Sequence, residues 1–402
     1  MAGRCRASVS GPLGGFVEGF LGELAGLGYS PRSYEWQLRL LRHLSEWLSA
    51  QGLATGDLTT EVVGRFLAER RSAGAKMRSE RALAPLLGYL RRVGVAPDPL
   101  PAMPESPAEV LAAGFAHYSL VERGLDARTV AGYVGQVKPF LTVFPSPDQW
   151  QGLTARQVSA FVTQRAVGRC GASIKAETNA LRALLRWMWL ERSTSAPMAE
   201  AVGSFAADRG TRPPQALSTT EVAALKTAVT ERADHLRNEA MVALMLRLGL
   251  RAGEVAALRL EDIDWQAGLL RVHGKGSHLD ALPLPVDVGE ALAAYVMEGR
   301  PPAAGSCQVF LRSPAPHTGL SVPAVSLMVS AALLRGGVTG SGAAHRLRHT
   351  AACGVLAAGG GLIETGQLLR HTRVGSTAIY AKADLPALRG LARPWPTMQE
   401  GQ

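Results

Sequence analysis

The chain has 402 residues, 47% of them hydrophobic, which suits two or three domains with buried cores and excludes global disorder. A net charge of +10 and an isoelectric point near 9.8 favour a polyanionic partner. Cys5, Cys170, Cys307 and Cys353 form no Cys-x-x-Cys pair, no apolar run reaches the ~18 residues of a membrane helix, and Glu18 and Glu23 interrupt any leader, so a reduced, cytoplasmic, non-membrane protein is expected.

Two breaks divide the chain. Residues 97–104 hold four prolines, and 203–214 end in Pro213-Pro214; neither stretch suits a helix or a central strand. The expected pieces are 1–97, 105–195 and 215–402, with 196–214 as a linker. The first two read as copies of one helical module. Gly28-Tyr29-Ser30-Pro31 aligns with Gly124-Leu125-Asp126-Ala127, Leu58-Thr59 with Leu153-Thr154, and Leu86-Leu87 with Leu184-Leu185. The nearly constant offset is that of a duplicated unit whose loops alone changed length.

Each copy predicts four or five short helices. Ser30 before Pro31, and Asp126, are N-caps. Leu41, Leu44, Trp47 and Leu48 share one helical face. Thr154 with Gln157 forms a capping box ahead of Val158, Phe161 and Val162. A last helix over 175–190 turns Leu181, Leu184, Leu185, Met188 and Leu190 inward and leaves Lys175, Arg182 and Arg186 outward. Those cations fit a solvated face and a phosphate-binding face equally well; Arg128, Lys175 and Arg182 are the candidate DNA contacts.

The third piece is mixed. Ser218 with Glu221 caps a helix, and another is expected over 239–248. Short strands are expected at Ile263-Asp264, 269–273 and 279–284, with Gly274-Lys275-Gly276-Ser277 as the turn between the last two. Beyond Leu320 the pattern is helical to about Arg393. The fold class is therefore mainly α, with a small antiparallel sheet in the last domain.

This domain also carries, in order, Arg251, Lys275, His345 with Arg348, His371 and Tyr380. A phenol with an ordinary pKa near ~10 is a weak nucleophile unless its proton is removed as it attacks. Arg251 and Arg348 supply planar forks of donors suited to the non-bridging oxygens of a phosphodiester, where charge grows in the transition state. Glu254, three residues after Arg251, orients that cation or pairs with it on the surface. His345 shares a helix face with Arg348 and serves as a base toward Tyr380 or as a phosphate donor. His371 would donate to the same oxygens. Lys275, in its glycine-flanked turn, has the reach to protonate a leaving 5′-oxygen. Each residue alone is better read as an ordinary core or surface side chain; the ordered set suits transfer of a nucleic-acid phosphoryl group to tyrosine. Gly274-Lys275-Gly276-Ser277 is not a P-loop, no dinucleotide fingerprint is complete, and no His-Glu-x-x-His or acidic metal cluster occurs. The expectation is chemistry that rests on cations, without metal or cofactor.

In this order the residues resemble the tyrosine recombinase family, also called phage integrase or Xer-like. Its Arg-x-Gly-Glu is Arg251-Ala252-Gly253-Glu254, and its His-x-Leu-Arg-His-Thr runs from His345 to Thr350. The resemblance implies that 215–402 is the catalytic domain, that 105–195 is the helical core-binding domain, and that 1–97 is a degenerate copy of it. It implies a C-shaped clamp on double-stranded DNA. Tyr380 would form a 3′-phosphotyrosine and free a 5′-hydroxyl, and a partner strand would reverse the step without ATP. It implies a homo-tetramer on two DNA sites passing through a Holliday junction, with 384–391 packing on a neighbour. An accessory recombinase or directionality factor and a nucleoid location belong to the same picture. Most members have Leu-Gly-His before the tyrosine; here Leu369-Arg370-His371 stands, as in plasmid- and transposon-borne members. Arg370 would ask for a less strained backbone or supply an extra phosphate contact. The alternatives are a type IB topoisomerase-like enzyme and a catalytically decayed DNA-binding accessory protein.

Overall fold

The computed structural model describes residues 9–75, 79–99, 104–204, 214–274, 279–302, 306–340, 342–371 and 374–382. The chain forms two compact units, Leu100–Thr211 and Met1–Pro99 together with Arg212–Gln402.

The larger unit begins with α1 (Val17–Gly26), α2 (Pro31–Ala50), α3 (Thr60–Ser72) and α4 (Glu80–Arg92). Phe20, Leu24, Leu40, Leu41, Leu44, Phe66, Leu86 and Leu90 are buried in one core. Trp47 lies at its edge and donates its indole N–H to Glu69 Oε2 at 2.7 Å. The smaller unit contains α5 (Pro107–His117), α6 (Ala127–Val143), α7 (Pro147–Gln151), α8 (Ala155–Ala166) and α9 (Gly171–Leu190). Its core holds Phe115, Phe140, Phe161, Leu181, Leu184 and Leu185. Gly28 at φ +77° and Gly124 at φ +61° are both left-handed, one shortly before α2 and the other shortly before α6. The Ser30, Asp126 and Thr154 caps all form. Leu190 departs from expectation: it lies in the last turn of α9 and is exposed.

The remainder of the larger unit is built from α10 (Thr219–Thr230), α11 (His235–Arg247), α12 (Ala252–Ala257), α13 (Val286–Ala294), α14 (Val322–Arg335), α15 (Ala343–Ala357) and α16 (Leu362–Leu368). The sheet has the order β1 (Ile263–Asp264), β2 (Leu269–His273), β3 (Leu279–Pro283), antiparallel throughout, with Leu270 opposite both Ile263 and Leu282. Leu270 and Val272 are buried while their neighbours on β2 are exposed, the two-residue period of a half-buried strand. One face thus closes the helical core around Met241, Leu244, Val255, Leu292, Val329 and Leu347. Helix α10 starts in the Ser218–Glu221 capping box, and the Thr350 hydroxyl of α15 accepts the Leu217 N–H at 2.8 Å. Helix α11 begins four residues earlier than expected; Asp234 is its N-cap, and the Asp234 carboxylate makes no cap hydrogen bond and pairs with Arg237 instead. Within this unit the N-terminal module touches the 312–317 loop, where His317 N–H donates to the Leu27 carbonyl at 3.0 Å.

Candidate active site

Arg251 is the N-cap of α12, and Glu254 is the third residue inside the helix. That position lets a glutamate turn back to the N-cap backbone N–H, one of the donors a helix start leaves without a partner. Glu254 Oε2 accepts the Arg251 N–H at 2.8 Å, and Oε1 accepts from Arg251 Nη1 at 2.6 Å. The Arg-x-Gly-Glu spacing is thus a capping geometry that also aims a guanidinium. The Arg251 side chain remains 45% exposed, whereas Glu254 is buried.

Arg348 and His345 share one face of α15. Arg348 is 1% exposed, and its Nη1 and Nη2 donate to the carbonyls of Gly249 and Leu369. It therefore fastens the turn before Arg251 to the turn before His371. Burial, then the neighbouring Arg251, pulls its pKa down to about 10, still cationic at neutral pH. Gly249 is left-handed at φ +59°, and a Cβ there would lie 2.7 Å from Leu369 Cδ2.

Tyr380 lies in a short 3-10 turn (Ala378–Lys382) and is 1% exposed, packed on Ala352 and Leu369. Its hydroxyl is 2.8 Å from Nδ1 of His349. Burial raises the phenol pKa, with Arg348 opposing, so the hydroxyl is protonated in this arrangement. His349 is pushed down to about 4 by burial and by His345, and is a neutral acceptor at pH 7. The His345 and His349 rings meet edge to face, 4.3 Å apart. Burial, then Arg348 and Arg251, also lowers the His345 pKa. His371 lies 6.4 Å from Tyr380 between ring centres, and its Nδ1 is 2.8 Å from Thr377 Oγ1. Burial and then Arg348 bring His371 to about 4.

Arg251, Glu254, His345, Arg348, His371 and Tyr380 are thus gathered in one neighbourhood. Lys275 lies outside the described residues, between β2 and β3 in sequence. Two expectations are corrected. The Tyr380 hydroxyl is bonded to His349, not His345, so a direct proton path to His345 is absent in this arrangement. The sequence carried a signal for this, since His349 lies four residues after His345 on the same helix face. Arg370 neither relaxes its backbone, which is left-handed at φ +53°, nor turns to solvent. Its guanidinium is 5% exposed and pairs with Glu254 Oε2 at 2.6 Å. Burial pushes the Glu254 carboxyl up, but Arg370 and Arg251 outweigh it and hold the carboxyl below its ordinary range.

In the smaller unit Arg128 is exposed in the first turn of α6, and Lys175 is partly exposed on α9. Arg182 is committed locally: its Nη2 donates to the carbonyls of Val202 at 3.1 Å and Gly203 at 2.7 Å, which explains its position without a phosphate. Among the described residues no three His, Cys, Asp or Glu side chains are grouped to hold a metal ion, and no helix is long and apolar enough to cross a membrane.

Residues 215–385 match the phage integrase family. Over 394 residues the chain is 34% identical to a protein of Sinorhizobium fredii (strain NBRC 101917 / NGR234) named as an integrase/recombinase, y4rA, covering 96% of this chain and 95% of that one. It is 27% identical to the tyrosine recombinase XerD of Mycobacterium tuberculosis (strain ATCC 25618 / H37Rv), over 69% of this chain and 94% of that protein. Among solved structures it is similar in fold to a lambda integrase dimer bound to a COC′ core site, with a TM-score of 0.55, 18% identity, and coverage of 73% and 80% of the two chains. The XerH site-specific recombinase bound to a palindromic difH substrate gives a TM-score of 0.55 at 16% identity, over 74% of this chain and 99% of that one.

Proposed function

The chain belongs to the phage integrase family and is a tyrosine-type site-specific DNA recombinase, and from that premise we propose that Tyr380 is the nucleophile that cuts and rejoins DNA. The Tyr380 oxygen attacks the scissile phosphorus, a P–O bond to tyrosine forms, the P–O5′ bond breaks, and the freed 5′-oxygen takes a proton. The phenol proton passes to water as the oxygen attacks, so one proton leaves the tyrosine while another reaches the 5′-oxygen. The reverse reaction, by the 5′-hydroxyl of a partner strand, releases the enzyme, so one phosphodiester replaces another and no ATP is consumed. Arg251, whose guanidinium faces solvent, and Arg348 stabilise the negative charge that grows on the non-bridging oxygens. Among the described residues the Gly249 and Leu369 carbonyls take two of the five N–H donors of Arg348. His345 and His371, both neutral, donate to the same oxygens, and Lys275 protonates the leaving 5′-oxygen.

The observation that carries this reading is the enclosure of Tyr380 by His349 and His371 in the field of Arg348 and Arg251. With a buried hydroxyl bonded to His349, the arrangement is a resting one, and Tyr380 leaves His349 when a phosphate enters. We further read 105–195 as a DNA-binding module, with Arg128 and Lys175 at phosphates, and the working form as a tetramer on two DNA sites. An apolar groove lined by Val222, Val229, Val242, Leu246, Ala351 and Val355 would take residues 384–391 of a neighbouring copy, whose Leu385, Leu388 and Leu391 recur every three residues. Such a protein works at the nucleoid.

The test is a nicked suicide duplex drawn from the DNA flanking the gene, run on a denaturing gel. A covalent protein–DNA band from the wild type that is absent from Tyr380→Phe, at equal DNA binding, is the expected result. A band surviving in Tyr380→Phe would refute the assignment.

A further inference from the structure

We infer that Arg370 is a positioning residue that acts through Glu254 to leave Arg251 electrostatically free for the phosphate; this rests on the role given to Arg251 above. The backbone at Arg370 is left-handed, φ +53°, a conformation glycine adopts without cost and a side chain does not. A non-glycine residue held there persists where its surroundings over-determine it, and that points toward a function for the side chain. The guanidinium is buried to 5% exposure, so a direct contact with DNA does not explain it. Its partners among the described residues are the Glu254 carboxylate at 2.6 Å, the Leu368 carbonyl at 3.0 Å and the Leu248 carbonyl at 3.5 Å.

Glu254 is the point of action. Its two oxygens already receive three donors: the Arg251 backbone N–H, Arg251 Nη1 and Arg370 Nη2. With Arg251 alone, one buried carboxylate would face one guanidinium, and the pair would be neutral toward an incoming anion. With Arg370 added, two cations share one carboxylate and a full positive charge is left over. Of the two, Arg251 reaches solvent, at 45% exposure, so the surplus is presented there. A buried arrangement raises the weight of such a difference, because water screens it less. The same residue lies between Leu369, whose carbonyl holds Arg348, and His371. One side chain therefore ties the turn carrying His371 to the helix start carrying Arg251.

The experiment measures the rate of covalent adduct formation on a nicked duplex, the segment of gene-flanking DNA that the protein binds most tightly. The proteins are wild type, Arg370→Gly, Arg370→Gln, Glu254→Gln, and Glu254→Gln combined with each Arg370 variant. Glycine relieves the left-handed strain, while glutamine keeps most of the length and removes the charge, so a loss common to both is not a folding artefact; thermal midpoints are recorded alongside. We expect each Arg370 substitution to slow adduct formation by about tenfold or more, as loss of an orienting partner does, with DNA affinity within about twofold. In the Glu254→Gln background the same substitutions should cost less than about twofold, because no anion remains to be neutralised. Equal losses in both backgrounds, or no loss in either, overturn the positioning role and leave Tyr380 chemistry intact. No adduct from wild type on a duplex it binds, or an adduct surviving Tyr380→Phe, overturns the underlying reading and the positioning role with it.

Discussion

The Tyr380 hydroxyl lies 2.8 Å from Nδ1 of His349, on the same helix that carries His345 and Arg348. The oxygen proposed as nucleophile is thus held by the residue next to Arg348. A histidine with a pKa of about 4 is a poor base for a phenol but a good hydrogen-bond acceptor. Its part in this arrangement is to hold the hydroxyl.

His349→Ala should therefore destabilise the protein by about 1 kcal/mol, the net worth of a buried hydrogen bond. In a Tyr380→Phe background the same substitution should cost measurably less, since the hydroxyl is already gone. Urea titrations of the four proteins decide it; strictly additive losses would show that the two side chains do not interact.

Arg348 and Arg251 should separate stability from chemistry. Arg348→Ala strips two buried carbonyls of their donors and leaves a void, at a cost of about 2–4 kcal/mol. Arg251→Ala removes a half-exposed side chain whose partner Glu254 still has Arg370, so stability should move by less than about 1 kcal/mol. Adduct formation should nonetheless fall by about 100-fold or more. Denaturation curves and the suicide-substrate assay, run on both variants, check the contrast.

Gly249→Ala should cost about 1–3 kcal/mol. The position is left-handed, and the new methyl would meet Leu369 Cδ2 at 2.7 Å, inside the turn whose carbonyl holds Arg348. A thermal midpoint equal to that of wild type would show that the turn rearranges freely.

Acid should loosen the site. The folded-state pKa values of His349 and His371 are about 4, against about 6.5 in an unfolded chain. Between those values the unfolded state binds more protons than the native state, so stability falls as pH drops from about 6.5 to about 4. Unfolding midpoints across that window should decline, and His349→Gln and His371→Gln should each flatten the slope. A slope unchanged in both variants would place the acid sensitivity elsewhere.

Much of this was legible along the chain. The Ser218–Glu221 and Thr154–Gln157 boxes marked helix starts because capping is a contact over three residues. Strands β1 and β2 fell where they were expected, and β3 ended one residue earlier than expected. Helix α11 began earlier than expected because its largely polar first turn, residues 235–238, carries little apolar period to mark it, and Leu190 faced outward because a helix's last turn extends beyond the core it serves.

The amino-acid sequence by itself determined the family, the reaction and the order of Arg251, His345, Arg348, His371 and Tyr380, since each rests on residue type and short spacing. Only the tertiary structure decided that Tyr380 rests on His349, 31 residues away, and that Arg370 turns inward to Glu254, 116 residues away. Such pairings depend on which backbone turns meet in space. A guanidinium's direction follows the nearest buried carboxylate and carbonyls that the fold brings to it, and no local pattern in the chain encodes that.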